Sequence, residues 1–149
     1  MITEHIREHG IPIYVEREFH IKPYRDRSDV CYYGDIVAVY QNGRRWYIVG
    51  IEVKDWKARV GSKLAAQYLS VYGEVCEYFY IAARRFSQSL LRTSRIGLFS
   101  LESMKVIRRS QYLFPDERLR ISAVKRMKKG GLNPRVLESP YQTMLDAFL

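Results

Sequence analysis

A chain of 149 residues, 47% hydrophobic and 28% charged, has the size and composition of one globular domain with a single buried core, which excludes disorder throughout. No apolar run approaches 18 residues and no basic-then-apolar leader occupies residues 1–10, so neither a membrane span nor a secretory signal is legible and the expected compartment is the cytoplasm. The net charge of +9 is unevenly placed: residues 84–135 carry 14 Lys or Arg against three acids, whereas the remainder carries 11 basic and 13 acidic residues, a distribution that suits a polyanionic partner or, more plainly, a solvated basic surface.

The pattern predicts a short helix over 2–8, ended by Gly10 and Pro12. Ile11, Ile13, Val15, Phe19 and Ile21 alternate with Tyr14, Glu16, Glu18 and His20, which predicts a strand with one polar face. A polar loop over 22–29 leads to a strand from Cys31 or Gly34 to Tyr40, and Asn42-Gly43 between apolar runs is a strong hairpin signal, with residues 44–54 as the returning strand. After a loop over 55–59, Gly61-Ser62 offers a helix start, with Leu64, Tyr68, Val71, Tyr72 and Val75 on one side. A buried strand over 76–83, a short helix over 86–92 and a strand over 96–101 follow, and strands alternating with helices indicate an α/β domain with a mixed central sheet flanked by helices. A basic helix over 118–129, stopped by Gly130-Gly131, and a closing helix after Ser139-Pro140 complete the reading. The whole is one domain over 1–149, with a core over about 2–101 and a basic C-terminal helical extension over 102–149. Cys31 and Cys76 fall in apolar strand-like stretches and read as reduced core residues. His5 and His9 form an i, i+4 pair without further ligands nearby and read, with His20, as surface residues. Tyr68, Tyr72, Tyr78 and Tyr80 suit helix-to-sheet packing.

The hairpin carries the chemistry. With Asn42-Gly43 as a two-residue turn, Gln41 pairs with Arg44 and Asp35 faces Gly50, placing Gly50, Glu52 and Lys54 on the Asp35 side of the sheet. Asp35 and Glu52 are then diagonal neighbours, and the glycine leaves the space between them empty. Two carboxylates around a vacancy suit a hard divalent cation, which takes one or two carboxylates and completes its shell with water and substrate phosphate. One pleat beyond, Lys54 is placed to orient a water or to neutralise charge on a phosphorane-like transition state. Val37, Val39, Trp46 and Ile48 share that face, while Ile36, Ala38, Val49, Ile51 and Val53 fill the other, so the pair is covered on both faces and the three charged residues are polar exceptions at its rim. As an isolated tripeptide, Glu52-Val53-Lys54 would read as an ordinary surface ion pair; the conjunction with Gly34-Asp35 and the tight hairpin favours function.

The run Asp35-Ile-Val-Ala-Val followed by Gly50-Ile-Glu-Val-Lys54 resembles the PD-(D/E)XK, or restriction-endonuclease-like, nuclease superfamily, with Gly34 in place of the motif's proline. The similarity spans about residues 2–101 and is greatest to small DNA-repair-type and archaeal Holliday-junction-resolvase-like members. It implies an α-β-β-β-α-β core and Mg²⁺- or Mn²⁺-dependent hydrolysis of DNA phosphodiesters, with Asp35 and Glu52 as metal ligands and Lys54 assisting the water. It also implies an additional acid, for which Glu18, with Glu16 and Glu4 as alternatives, is similar in placement, and a helical Gln, which Gln67 resembles, although Tyr72 lies one residue beyond the Gln-x-x-x-Tyr spacing of the RecB-like branch. Trp56, just after Lys54, is a candidate for stacking on DNA; Lys57, Arg59 and Lys63 near the active face and Lys125, Arg126, Lys128 and Lys129 in the basic helix are candidates for phosphate contacts.

The function expected is a metal-dependent DNA endonuclease acting in repair, recombination or the processing of mobile-element or viral DNA. A homodimer would be required for cutting symmetric DNA at two sites. The competing class is a module on a nuclease fold that binds nucleic acid or a protein without cutting. A purely basic nucleic-acid-binding protein explains the charge but leaves the hairpin residues unexplained.

Overall fold

Segments rich in β-branched and aromatic residues form the first three strands: β1 (Ile11–His20), β2 (Tyr33–Asn42) and β3 (Arg45–Lys54). The computed structural model describes residues 11–20, 33–42, 45–92 and 95–130, with side chains described over 35–40, 46–92 and 95–127. The expected helices over 2–8 and after Ser139-Pro140, the loop over 22–29, and Glu4, His5, His9 and Cys31 lie outside the described residues. After β3 come helix α1 (Ser62–Val75), strand β4 (Tyr78–Ala83), the short helix α2 (Gln88–Arg92), strands β5 (Gly97–Ser100) and β6 (Lys105–Arg108), and helix α3 (Glu117–Gly130).

The six strands form one mixed sheet in chain order. β1, β2 and β3 are an antiparallel meander, β4 and β5 add in parallel, and β6 closes the far edge antiparallel. The two crossovers β3-α1-β4 and β4-α2-β5 step the same way along the sheet, so a common handedness puts both helices on one face. There Val37, Val39, Ile48, Phe79 and Ile81 pack under α1 and α3, while Ile36, Ala38, Tyr40, Val49, Ile51, Tyr80 and Phe99 form a second core on the opposite face. Burial on both faces matches the partition expected for the hairpin. Edge strand β1 accommodates Pro12, which has no N–H, beside an irregularity in its ladder. Strand β6 is not among the elements the pattern predicts: its only buried side chain is Val106, between the exposed Lys105 and Ile107, and four residues are too few to establish a period of two. Its basic ends suit an edge strand. Among the described residues no helix is long and apolar enough to cross a membrane.

The hairpin register differs from the expected one. Asn42 pairs with Arg45 and Val37 with Gly50, and Gln41 faces Trp46, not Arg44, a displacement of two positions from the expected pairing. The ladder runs to Ile36 opposite Ile51, which puts Asp35 opposite Glu52 rather than opposite Gly50.

Part of the C-terminal positive charge is used inside the fold. Arg120 of α3 pairs with Glu77, which is 2% exposed, and also donates to the Trp46 carbonyl; Glu77 in turn accepts from the Ile48 N–H. Arg108 donates to the carbonyls of Ile96, Leu90 and Leu91, Arg95 to that of Leu113, and Arg84 pairs with Asp55. Burial pushes the Glu77 carboxyl up, opposed by the Ile48 N–H and by Arg120. Arg120→Met, by leaving this carboxylate without its counter-charge, is expected to cost about 3–5 kcal/mol in denaturant unfolding. A group whose pKa is raised on folding loses stability as pH rises, so the loss should be larger at pH 8 than at pH 5. A pH-independent loss under 1 kcal/mol would contradict this role.

Candidate active site at the end of strand β3

Asp35, Glu52 and Lys54 stand on the face covered by α1, towards the C-terminal end of β3. Glu52 is 2% exposed. One of its carboxylate oxygens, Oε2, lies 3.0 Å from the Lys54 ammonium, and the other, Oε1, accepts a 2.7 Å hydrogen bond from the Tyr72 hydroxyl. The same hydroxyl accepts a 3.2 Å hydrogen bond from the Asp35 N–H, and the Asp35 carboxylate accepts the Val53 N–H at 2.8 Å. The Glu52 carboxylate is therefore tied to the hairpin and to α1, and the Asp35 carboxylate to the hairpin.

The space beside Gly50 is not vacant. A Cβ at this position would come within 2.2 Å of the Tyr72 ring and 3.2 Å of Cys76 Sγ; the glycine is needed because the ring lies against the strand backbone. The same ring stacks on Phe79, with centroids 4.2 Å apart. One turn earlier on α1, the Tyr68 ring centroid is 4.8 Å from Lys54 Nζ, and the Trp56 centroid is 5.1 Å from it. Tyr68 and Tyr72 are core residues as expected, yet each also presents a polar or π surface to the charged cluster. The sequence signal for that was their i, i+4 spacing opposite the alternate residues Gly50, Glu52 and Lys54.

These surroundings shift the ionisation of the cluster. Burial and the facing Asp35 carboxylate push Glu52 up to about 7, against the opposing pull of Tyr72 and Lys54. For Lys54, burial acts downward, but the Tyr68 hydroxyl and the Glu52 carboxylate outweigh it and the net shift is upward, so the ammonium stays charged at neutral pH. A buried carboxylate facing a second one is costly unless a cation relieves it. The donor set of two hard carboxylates, adjacent across the strand pair, fits Mg²⁺ or Mn²⁺, which need no more than one or two protein carboxylates. Among the described residues no group of three His, Cys, Asp or Glu forms a metal cluster.

Of the other residues singled out from sequence, Glu18 lies between Arg17, paired with Ile36, and Phe19, paired with Gly34, a register position opposite Asp35; Glu16 pairs with Val37. The side chains of both lie outside the described residues. Gln67 is exposed on α1, beside Tyr68. Trp56, Lys57, Arg59 and Lys63 are exposed and follow the end of β3 or open α1. Lys125 is exposed and Arg126 half-buried on α3, while the side chains of Lys128 and Lys129 lie outside the described residues. Helix α3 is anchored by Arg120 at Trp46 and Glu77, and Trp46 is six residues from Glu52 along β3, about 20 Å at the rise of a strand.

No protein-family profile matches this sequence, and no curated protein does. Among solved structures, the SPO1766 protein of unknown function from Silicibacter pomeroyi is similar, with 18% sequence identity and a TM-score of 0.56 over 87% of this chain and 80% of that one. At that identity the likeness concerns the fold alone, a mixed α/β architecture.

The contact between Gly50 and Tyr72 is testable through stability. Gly50→Ala should cost about 1–3 kcal/mol, the usual price of overpacking, because the methyl group meets a ring already stacked on Phe79. Tyr72→Phe keeps the ring but removes the donor to Glu52, so the Glu52 pKa, followed by NMR titration of the carboxyl carbon, should rise further. An unchanged Glu52 titration would show that the hydroxyl does not govern it.

Proposed function

We propose that this protein is a metal-dependent DNA endonuclease with a restriction-endonuclease-like core. The observation that carries the reading is the buried Glu52 carboxylate, opposite Asp35 and joined to Lys54, at the end of a strand apolar on both faces. The order of three antiparallel strands, a helix and a parallel fourth strand supports the same reading.

Asp35 and Glu52 would hold the cation, with Glu18 as the added acid and Gln67 in support. Bound there, Mg²⁺ or Mn²⁺ would polarise the phosphoryl oxygen and make a coordinated water more acidic. Lys54, kept protonated by Glu52 and Tyr68, supplies a fixed positive charge beside the scissile phosphate; its role is to stabilise charge that develops on the phosphoryl oxygens rather than to accept a proton. Tyr72 fixes Glu52 in one orientation. The exposed Lys57, Arg59 and Lys63 contribute phosphate contacts around the site, and the basic surface of α3 adds longer-range attraction for DNA.

In cleavage assays with labelled DNA, Asp35→Asn and Glu52→Gln should abolish metal-dependent hydrolysis while leaving DNA affinity largely intact. Lys54→Ala should retain Mn²⁺ binding and lose about 10²- to 10³-fold in rate. Glu52 must be deprotonated to bind the cation, and its pKa is about 7, so metal-induced stabilisation in thermal unfolding should be small at pH 6 and grow towards pH 8. DNA binding without metal-dependent cleavage by the wild-type protein would favour the non-catalytic module instead.

A further inference from the structure

We propose that Trp56 forms a nucleobase-stacking subsite beside the carboxylates and that this subsite favours DNA with unpaired bases over continuous duplex; the inference rests on the nuclease reading for the position of the scissile phosphate.

Trp56 is 44% exposed although it is the largest apolar side chain type available. Its loop is held at both ends. Asp55 pairs with Arg84, while the Val60 N–H donates to the Arg85 carbonyl at 3.0 Å and the Val60 carbonyl accepts the Ser87 N–H at 2.9 Å. The ring itself is held by Lys54, whose ammonium lies 5.1 Å from the indole centroid, 4.8 Å from the Tyr68 centroid and 3.0 Å from Glu52 Oε2. With its side chain only 16% exposed, Lys54 is wedged between two rings and a carboxylate, and the indole is fixed next to the charged cluster while much of its surface meets water. A pre-positioned aromatic surface of this kind loses little conformational freedom on binding.

The chemistry that suits such a surface combines a π-face with negative charge. Lys57 and Arg59 are exposed in the same loop and Lys63 is exposed in the first turn of α1, a basic segment that suits the backbone of a nucleic-acid strand, and an indole stacks on any base whose face is free. Within a continuous duplex both faces of each base are already stacked, so Trp56 can engage only a base at an end, in a flap or junction arm, or in a single strand. A base on Trp56 would put a neighbouring phosphate of the same strand beside Lys54, whose ammonium already touches both the ring and Glu52. One side chain thus links recognition of the unpaired base to the candidate hydrolytic centre.

The test is a pair of affinity titrations in EDTA, so that nothing is cut, using oligothymidylate and a relaxed, covalently closed duplex circle. Trp56→Ala should weaken oligothymidylate binding about 10- to 100-fold and leave duplex binding within two-fold, whereas Trp56→Phe should recover most of the single-strand affinity. Oligothymidylate should also quench the wild-type tryptophan fluorescence, and this quench should be absent in Trp56→Phe. Equal losses on the two DNAs, or no loss on either in a variant with wild-type thermal stability, would overturn the subsite. Absence of hydrolysis by the wild-type protein with Mg²⁺ or Mn²⁺ would instead overturn the nuclease reading and leave the stacking result standing, so the two failures are distinguishable.

Discussion

The Tyr72 ring stacks on Phe79 and approaches Gly50 too closely for any side chain there, and its hydroxyl meets both Glu52 and the Asp35 N–H. The rest of the site depends on that contact. A side chain at position 50 would hold α1 away from β3, and the hydroxyl would no longer reach the carboxylate. With the helix seated, Tyr68 arrives one turn earlier at Lys54, because residues four apart share a helix face, just as Gly50, Glu52 and Lys54 share a strand face two residues apart. Matching these two periodicities places two aromatic residues over one acid and one base. The close approach therefore fixes packing and candidate chemistry together.

Electrostatics makes such a cluster a cost to stability rather than a source of it. Glu52 is buried opposite a second carboxylate, and Lys54 and Tyr72 do not fully offset the cost, so its carboxyl is held near neutrality. By contrast, the buried Glu77 is engaged by Arg120 and the Ile48 N–H in a contact that joins α3 to the start of β3. The two buried acids thus lie at opposite ends of the β3–β4 pair, Glu77 just before β4 beside Ile48 and Glu52 near the end of β3, with different tasks: one ties a helix to the sheet, and the other is left with a demand that a cation would meet. Arg120, Arg108, Arg95 and Arg84 are used in contacts within the fold, which reduces the share of the basic C-terminal half available to a polyanion.

Much of the central sheet was legible because alternation assigns residues to faces without knowledge of register. The expected register is displaced by two positions from the observed one, yet Asp35, Glu52 and Lys54 fall on one side in both, because a slip of two leaves every side chain on its original face, whereas a slip of one would reverse them all. For the same reason hydrophobic pattern could not choose between the two registers, and Asp35 was placed diagonal to Glu52 rather than opposite it. The role of Tyr72 was hidden because a glycine reads equally as empty space or as room for a neighbour, and only the docked helix decides. Strand β6 is hidden by its brevity, and the pairing of Arg84, Arg95, Arg108 and Arg120 within the fold by the fact that a charge count carries no information about partners.

If Asp35 and Glu52 jointly hold a divalent cation, as we propose, the anomalous scattering of Mn²⁺ in crystals of the wild-type protein grown or soaked at pH 8, above the value of about 7 to which Glu52 is pushed, should show it directly. One strong peak is expected between the Asp35 and Glu52 carboxylates, at bonding distance from both, with Lys54 still beside Glu52. Full occupancy of Mn²⁺ elsewhere with nothing between these two residues, or a peak that persists there in Asp35→Asn crystals, would contradict it.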